Sequence, residues 1–117
     1  MRYLLMIYSD EQADANRTPE QQETNMADYF AFTNEVREAG VYVGGDALQP
    51  TTTATSVRVR NGQVSTTDGP FAETKEQLGG YYMLDCENLD QAIEYAAKIP
   101  GAKDGCIEIR PIWEFEE

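Results

Sequence analysis

The sequence contains no histidine. That gap removes His-based metal sites, Ser-His and Cys-His nucleophile pairs, and an imidazole acid or base from the chemistry open to the chain. Cations are scarce as well: nine Lys and Arg stand against 21 Asp and Glu, a formal net charge of −12. Such a charge repels phosphate, and the only spaced basic pair is Arg58 and Arg60, so direct nucleic-acid binding and anionic membrane surfaces are excluded as partners. Long apolar runs are missing too. RYLLMIY, from Arg2 to Tyr8, meets Ser-Asp-Glu at once and is too short for a signal-peptide core or a membrane span, so the chain reads as soluble and cytoplasmic. The two cysteines, Cys86 and Cys106, lack CxxC spacing and sit in apolar strand-like runs; both read as reduced core residues rather than a disulfide.

What remains is enough for one core. A chain of 117 residues with 41% hydrophobic side chains fits a single domain spanning 1–117 and is too apolar for disorder, despite its charge. Arg2 to Tyr8 suits a central strand covered on both faces. SDEQADANR follows as a polar loop. Thr18-Pro19-Glu20-Gln21 has the layout of a helix start, and Met26, Tyr29, Phe30, Thr33 and Val36 recur at helical spacing until Gly40, which predicts a helix from about residue 19 to 39. Phe32 lies off that stripe and is expected to be exposed or covered by a partner.

Val41 to Leu48 reads as a strand interrupted at Gly44-Gly45, where a bulge or a close backbone approach is the usual reason for glycine. SVRVRNGQVST alternates into Asn61-Gly62 and out again, the pattern of a hairpin with a type I′ turn. Gly80 to Cys86 is a further strand, and Asn88-Leu89-Asp90-Gln91 starts a second helix with Leu89, Ala92, Ile93, Ala96 and Ala97 on its face. Cys106 to Ile112 closes the chain's ordered pattern, Ile107 and Ile109 on one face and Glu108 and Arg110 on the other. The order is strand, helix, strand, hairpin, strand, helix, strand. It predicts an α+β domain of ferredoxin-like split βαβ type with an inserted β-hairpin and two helices on one face of an antiparallel sheet. A bare second face carrying Leu4, Met6 or their neighbours would be too apolar to stay uncovered, which points to a homodimer paired through sheet faces.

DGPFAETKEQLGGYY, from Asp68 to Tyr82, resembles the signature of the DGPF group of the YCII-related family. The likeness runs over essentially the whole chain, through RYLLMIY, FTNEVREAGVYVGGDALQP, TSVRVRNGQ, LDQAIEYAAKIPGA and IEIRPI. The resemblance implies a dimeric α+β barrel. It also implies an association with extracytoplasmic-function sigma factors, and hence an alternative role as a non-enzymatic accessory of transcription regulation. YCII-type relatives carry a histidine and an aspartate proposed as a catalytic pair; this chain has no histidine for that role or for axial haem ligation. Isomerases, decarboxylases and monooxygenases share the wider fold, but a fold alone transmits none of these activities.

Candidate chemistry gathers on the connection from Asp68 to Gly79, long for a compact domain and so either functional or a cover. Asp68, Gly69 and Pro70 shape its backbone, and Phe71 reads as a plug onto the core or onto another protomer. Asp68, Glu73 and Lys75 are the candidate catalytic groups, since a carboxylate beside an ammonium at a pocket mouth can serve as acid or base for isomerase- or lyase-type proton transfer. The competing reading is a Glu/Lys ion pair that pins the loop. Arg110 either pairs with a carboxylate such as Asp68 or Glu73 or receives an anionic group of a small organic ligand. Tyr8, Asp46, Phe71 and Tyr82 complete the expected ligand-binding set. No cofactor is implied, and Asp46, Asp68 and Glu73 match no metal motif.

Overall fold

The computed structural model describes residues 1–115. Strand β1 (Arg2–Ser9) alternates as its sequence dictates: Tyr3, Leu5 and Ile7 are buried while Leu4, Met6 and Tyr8 are half-buried on the other face. It is a central strand, antiparallel to β5 (Gln77–Asp85) on one side and to β6 (Cys106–Pro111) on the other. Strand β2 (Tyr42–Ala47) joins the outer edge of β5, which gives a four-stranded sheet in the order β2-β5-β1-β6 and an α+β architecture.

Helix α2 (Pro19–Glu38) opens on a capping box. Thr18 Oγ1 accepts from the Gln21 N–H at 3.1 Å, and Gln21 Oε1 accepts from the Thr18 N–H at 2.9 Å. Its inward residues are Phe32 and Val36, which corrects the expectation for Phe32. That ring is 4% exposed and meets Tyr82 edge-on at 5.0 Å, whereas Met26 and Phe30 are 60% and 64% exposed. The packed stripe is centred on 29, 32, 33 and 36, so Tyr29, Thr33 and Val36 keep their expected place and the stripe is turned by about half a residue step, roughly 50°, away from Met26 and Phe30. Helix α3 (Leu89–Ala96) starts where Asn88 Oδ1 accepts from the Gln91 N–H at 2.9 Å. Ala92 and Ala96 are buried, but Leu89 and Ile93 stay half-exposed, so the packed face is narrower than the sequence suggests.

The buried residues of α2 and α3 join Tyr3, Leu5, Ile7, Tyr82, Leu84 and Ile99 in one cluster. On the opposite face Leu4, Met6 and Tyr8 lie beside Tyr82's neighbours Tyr81 and Met83 and across from Arg110, Glu108 and Cys106. No described helix contributes a buried residue there. Cys86 is buried as expected; Cys106 is exposed on this open face and is not a core residue, because its register partner is Tyr8 rather than Ile7.

One segment departs from the sequence pattern, and the expected hairpin stands apart from the main sheet. SDEQADANR contains a short helix, α1 (Glu11–Ala15), where Asp10 Oδ1 accepts from the Gln12 N–H at 2.9 Å. The hairpin β3 (Thr55–Arg60) and β4 (Gln63–Asp68) forms a separate two-stranded sheet, an arm that no strand of the main sheet pairs with. Its turn has Asn61 at φ 52° and Gly62 at φ 74°, as a type I′ turn requires. The arm helps raise the radius of gyration to 16.3 Å, against the roughly 13 Å of a compact chain this size.

Candidate functional site

Glycine makes room for a cleft between α2 and the β2–β5 edge. A Cβ on Gly45 would stand 2.8 Å from the Tyr81 carbonyl oxygen and 3.1 Å from Tyr82 Cδ1; one on Gly80 would stand 2.9 Å from the Asp46 oxygen. Only glycine lets these two strands approach so closely, and a register shift between Tyr42 and Gly44 bends β2 at the same point. Above this floor α2 presents Met26, Tyr29, Phe30 and Thr33. The cleft is open to solvent and has a volume of about 850 Å³, with Ile7, Gly80 and Tyr82 below, and α1 together with Ala47, Leu48, Pro50 and Thr52 at its end.

Polar side chains line the cleft beside its apolar surface, and several are fixed by partners within the protomer. Thr33 Oγ1 donates its proton to the Tyr29 carbonyl at 2.9 Å and lies 2.8 Å from the Tyr82 hydroxyl. The Tyr29 hydroxyl accepts from the Gly101 N–H at 3.2 Å, which leaves its own proton for another acceptor. Burial pushes both phenols above the ordinary tyrosine value, so both are neutral near pH 7. At the rim the Arg37 guanidinium lies 4.8 Å from the centre of the Tyr42 ring. At the end wall Ser9 Oγ donates to Asp14 Oδ2 at 2.6 Å, and Arg17 pairs with the other Asp14 oxygen at 3.1 Å. The Glu11 carboxylate accepts from the Thr51 N–H at 2.9 Å and from its hydroxyl at 2.8 Å, while the Glu11 N–H donates to Gln77 Oε1 at 3.0 Å.

The sequence-derived candidates fall into three places. Tyr82 is on the cleft floor, and Asp46 borders it while accepting from the Tyr81 hydroxyl at 2.7 Å. Tyr8 and Arg110 do not join them: β1 and β6 carry both on the open sheet face, where burial and then the Glu108 charge raise the Tyr8 phenol and Arg110 opposes them. Asp68, Phe71, Glu73 and Lys75 are exposed on the arm and the segment after it, outside the lining of the cleft. Phe71 is 81% exposed and does not plug its own core. Among the described residues neither Arg110 nor the Glu73 and Lys75 pair forms an ion pair, so both of the salt-bridge readings are corrected. The strand parity of Ile107 and Ile109 already sends Arg110 away from the helices, and the separate arm carries the loop charges outward.

Tyr29 and Thr33 read in the sequence only as members of the α2 stripe, and Ser9, Glu11 and Asp14 only as part of a polar loop. The signal that was available is the Asp10 cap within SDEQADANR, which marks a helix start and thereby brings Glu11 and Asp14 to one side of a turn. Among the described residues no trio of Cys, Asp or Glu is grouped to hold a metal ion, and no helix is long and apolar enough to cross a membrane.

A family model for the YCII-related domain matches residues 1–116 of the chain. The chain is also similar to an uncharacterized protein of Rhizobium meliloti (strain 1021), 39% identical over 114 residues, an alignment that covers 96% of this chain and 92% of that one.

Proposed function

The chain belongs to the YCII-related family, and from that premise we propose that it works as a homodimer of ferredoxin-like protomers, a dimeric α+β barrel, that binds a small organic molecule in the cleft beneath α2. The observation that carries this reading is the cleft: about 850 Å³ with a largely apolar lining and a few convergent polar groups, the usual character of a small-molecule site. Pairing through the open sheet face is supported by Leu4, Met6, Tyr8 and Met83, which lie half-buried with no helix over them.

The site suits proton transfer of an isomerase or lyase kind. Tyr29 and Tyr82 are neutral at pH 7 and do not act as bases: Tyr29 keeps a proton that can polarise a ligand oxygen, while Tyr82, its proton given to Thr33, offers an acceptor to a ligand donor. The base is then a carboxylate. Asp46 borders the cleft of its own protomer; Asp68 and Glu73, with Lys75, serve only where the arm of a partner brings them to it.

A metabolite library screened by thermal shift and by crystal soaking tests the reading. The expected result is a raised Tm with one compound class seated on Tyr82, and about tenfold weaker binding in Tyr82→Phe and Asp46→Asn. A dimer whose cleft is filled by its own side chains, with no compound raising Tm, removes it.

A further inference from the structure

The arm is the long segment of this chain that lacks its acidic character. Between Thr55 and Gln77 the three cations Arg58, Arg60 and Lys75 balance the three carboxylates Asp68, Glu73 and Glu76, so the net charge of −12 resides on the remaining residues. Cross-strand register places Val57, Val59 and Val64 on one face of the ribbon and Arg58 and Arg60 on the other. Those valines are 61%, 56% and 70% exposed. A two-stranded ribbon is marginal in water without a surface to lie on.

The root of the arm is nonetheless fastened. The Gly69 N–H donates to the Ala54 carbonyl at 2.7 Å, Ser56 Oγ donates to the Gly69 carbonyl at 2.8 Å, and Glu11 holds Thr51 just ahead of β3. A ribbon set at a fixed angle with a bare apolar face is preorganised for contact. Two copies of so acidic a chain repel each other, and the approach that costs least brings a neutral segment to an uncharged patch. Such a patch exists on α2, where Met26 and Phe30 stand one turn apart and exposed at the mouth of the cleft.

We infer that the arm of one protomer lies, valine face down, on Met26 and Phe30 of a second copy, so that each cleft mouth is covered by another chain. This contact rests on the homodimer proposed above and adds to it a second interface, one that carries Asp68, Glu73 and Lys75 toward the neighbouring cleft.

Sedimentation equilibrium at micromolar concentration tests it with neutral substitutions, which leave the charge unaltered. Val57→Ser, Val59→Ser and Val64→Ser together, and separately Phe30→Ser, should each raise the dissociation constant about tenfold or more, with unchanged circular dichroism because these side chains are exposed in the protomer. Combining the two sets should add little further loss, since each removes the same contact. Association unchanged by both sets overturns the arm contact and leaves a sheet-paired dimer standing. Weakening by the arm set alone, or fully additive losses, overturns the assignment to α2. A wild-type chain that sediments as a monomer removes this inference and the proposed homodimer together.

Discussion

The hydroxyls of Thr33 and Tyr82 lie 2.8 Å apart, a distance at which either could donate. Thr33 has one proton and gives it to the Tyr29 carbonyl, so its oxygen can only accept from the phenol. The phenolic oxygen of Tyr82 therefore keeps its lone pairs for whatever enters the cleft. A helix residue and a strand residue 49 positions apart in sequence thus fix one another and orient an acceptor that faces the cleft.

Replacing Tyr82 by Phe removes that donor while keeping the ring against Phe32. The loss should be about 1 kcal/mol of unfolding free energy, the net worth of a part-buried hydrogen bond. Urea unfolding measures it. A variant as stable as the parent would show that water satisfies Thr33 equally well.

Stability should fall on the alkaline side, and the sign follows from burial. Tyr29, Tyr82 and Cys86 are all raised above their ordinary values in the folded chain, chiefly by burial. The folded state thus holds protons that the unfolded state has released, and stability decreases with rising pH from the unfolded value through the folded one. For Cys86 the decline starts near the ordinary thiol value of about 8.5, and for the tyrosines near about 10. Arg2 and Lys98 are also raised, but their pairs with Glu114 and Glu35 are exposed and add little. Chemical denaturation at stepped pH should give a flat profile up to about pH 8 and a fall above it that Cys86→Ala and Tyr29→Phe each reduce. A profile still flat at pH 11 contradicts the burial argument.

Much of the architecture is legible because it is local. The Thr18–Gln21 box, the Asn61-Gly62 turn and the parity of Ile107 and Ile109 each follow from neighbours in sequence, and each stands in the structure. The phase of α2 is not local. Phe30 and Phe32 offer the helix two apolar stripes, and the choice falls to Phe32 because Tyr82 stands opposite it. Helix α1 is equally dependent on distance, since Gln77 and Thr51 hold Glu11 from far along the chain. The site divides in the same way. Tyr82 and Asp46 reach the cleft beside the double glycines, whereas the charged loop lies outside the cleft of its own protomer because the arm that carries it is a separate sheet, a separation that the local sequence does not reveal.

Adjacent glycines of β2 should respond oppositely to alanine. A Cβ on Gly45 would press on the Tyr81 carbonyl at 2.8 Å, so the backbones must separate, whereas Gly44 has nothing within 4 Å of that position. Gly45→Ala should cost about 1–3 kcal/mol, as overpacking does, and Gly44→Ala should be near neutral. Thermal unfolding of the pair decides; equal changes in the two variants would mean that the close approach does not govern this bulge.

Glu11 ties the root of the arm to the body through both donors of Thr51. Glu11→Ala leaves those donors unpaired by a charged acceptor and should cost about 2 kcal/mol. Limited proteolysis should then cut residues 51–76 faster than in the parent. Parent-like cleavage in that segment would show that the hairpin holds its own position.

Met6 offers the cleanest test of the proposed homodimer. It sits on the central strand across from Glu108 and Tyr81, on the face away from the cluster built around Leu5 and Ile7. A lysine there leaves that cluster untouched and places an ammonium in the middle of an apolar sheet surface. In a protomer standing alone the new charge is solvated and costs little. Between two paired sheets it would be buried in each copy together with the cross-strand Glu108, and taking these charges out of water costs several kcal/mol per ion even with the pair formed. Met6→Lys should therefore turn a dimer into a monomer in sedimentation while its unfolding in urea, referred to the monomer, stays within about 0.5 kcal/mol. An unaltered dimer in this variant would mean that the sheets do not face each other, and the contact holding the copies together would have to be sought on the arm.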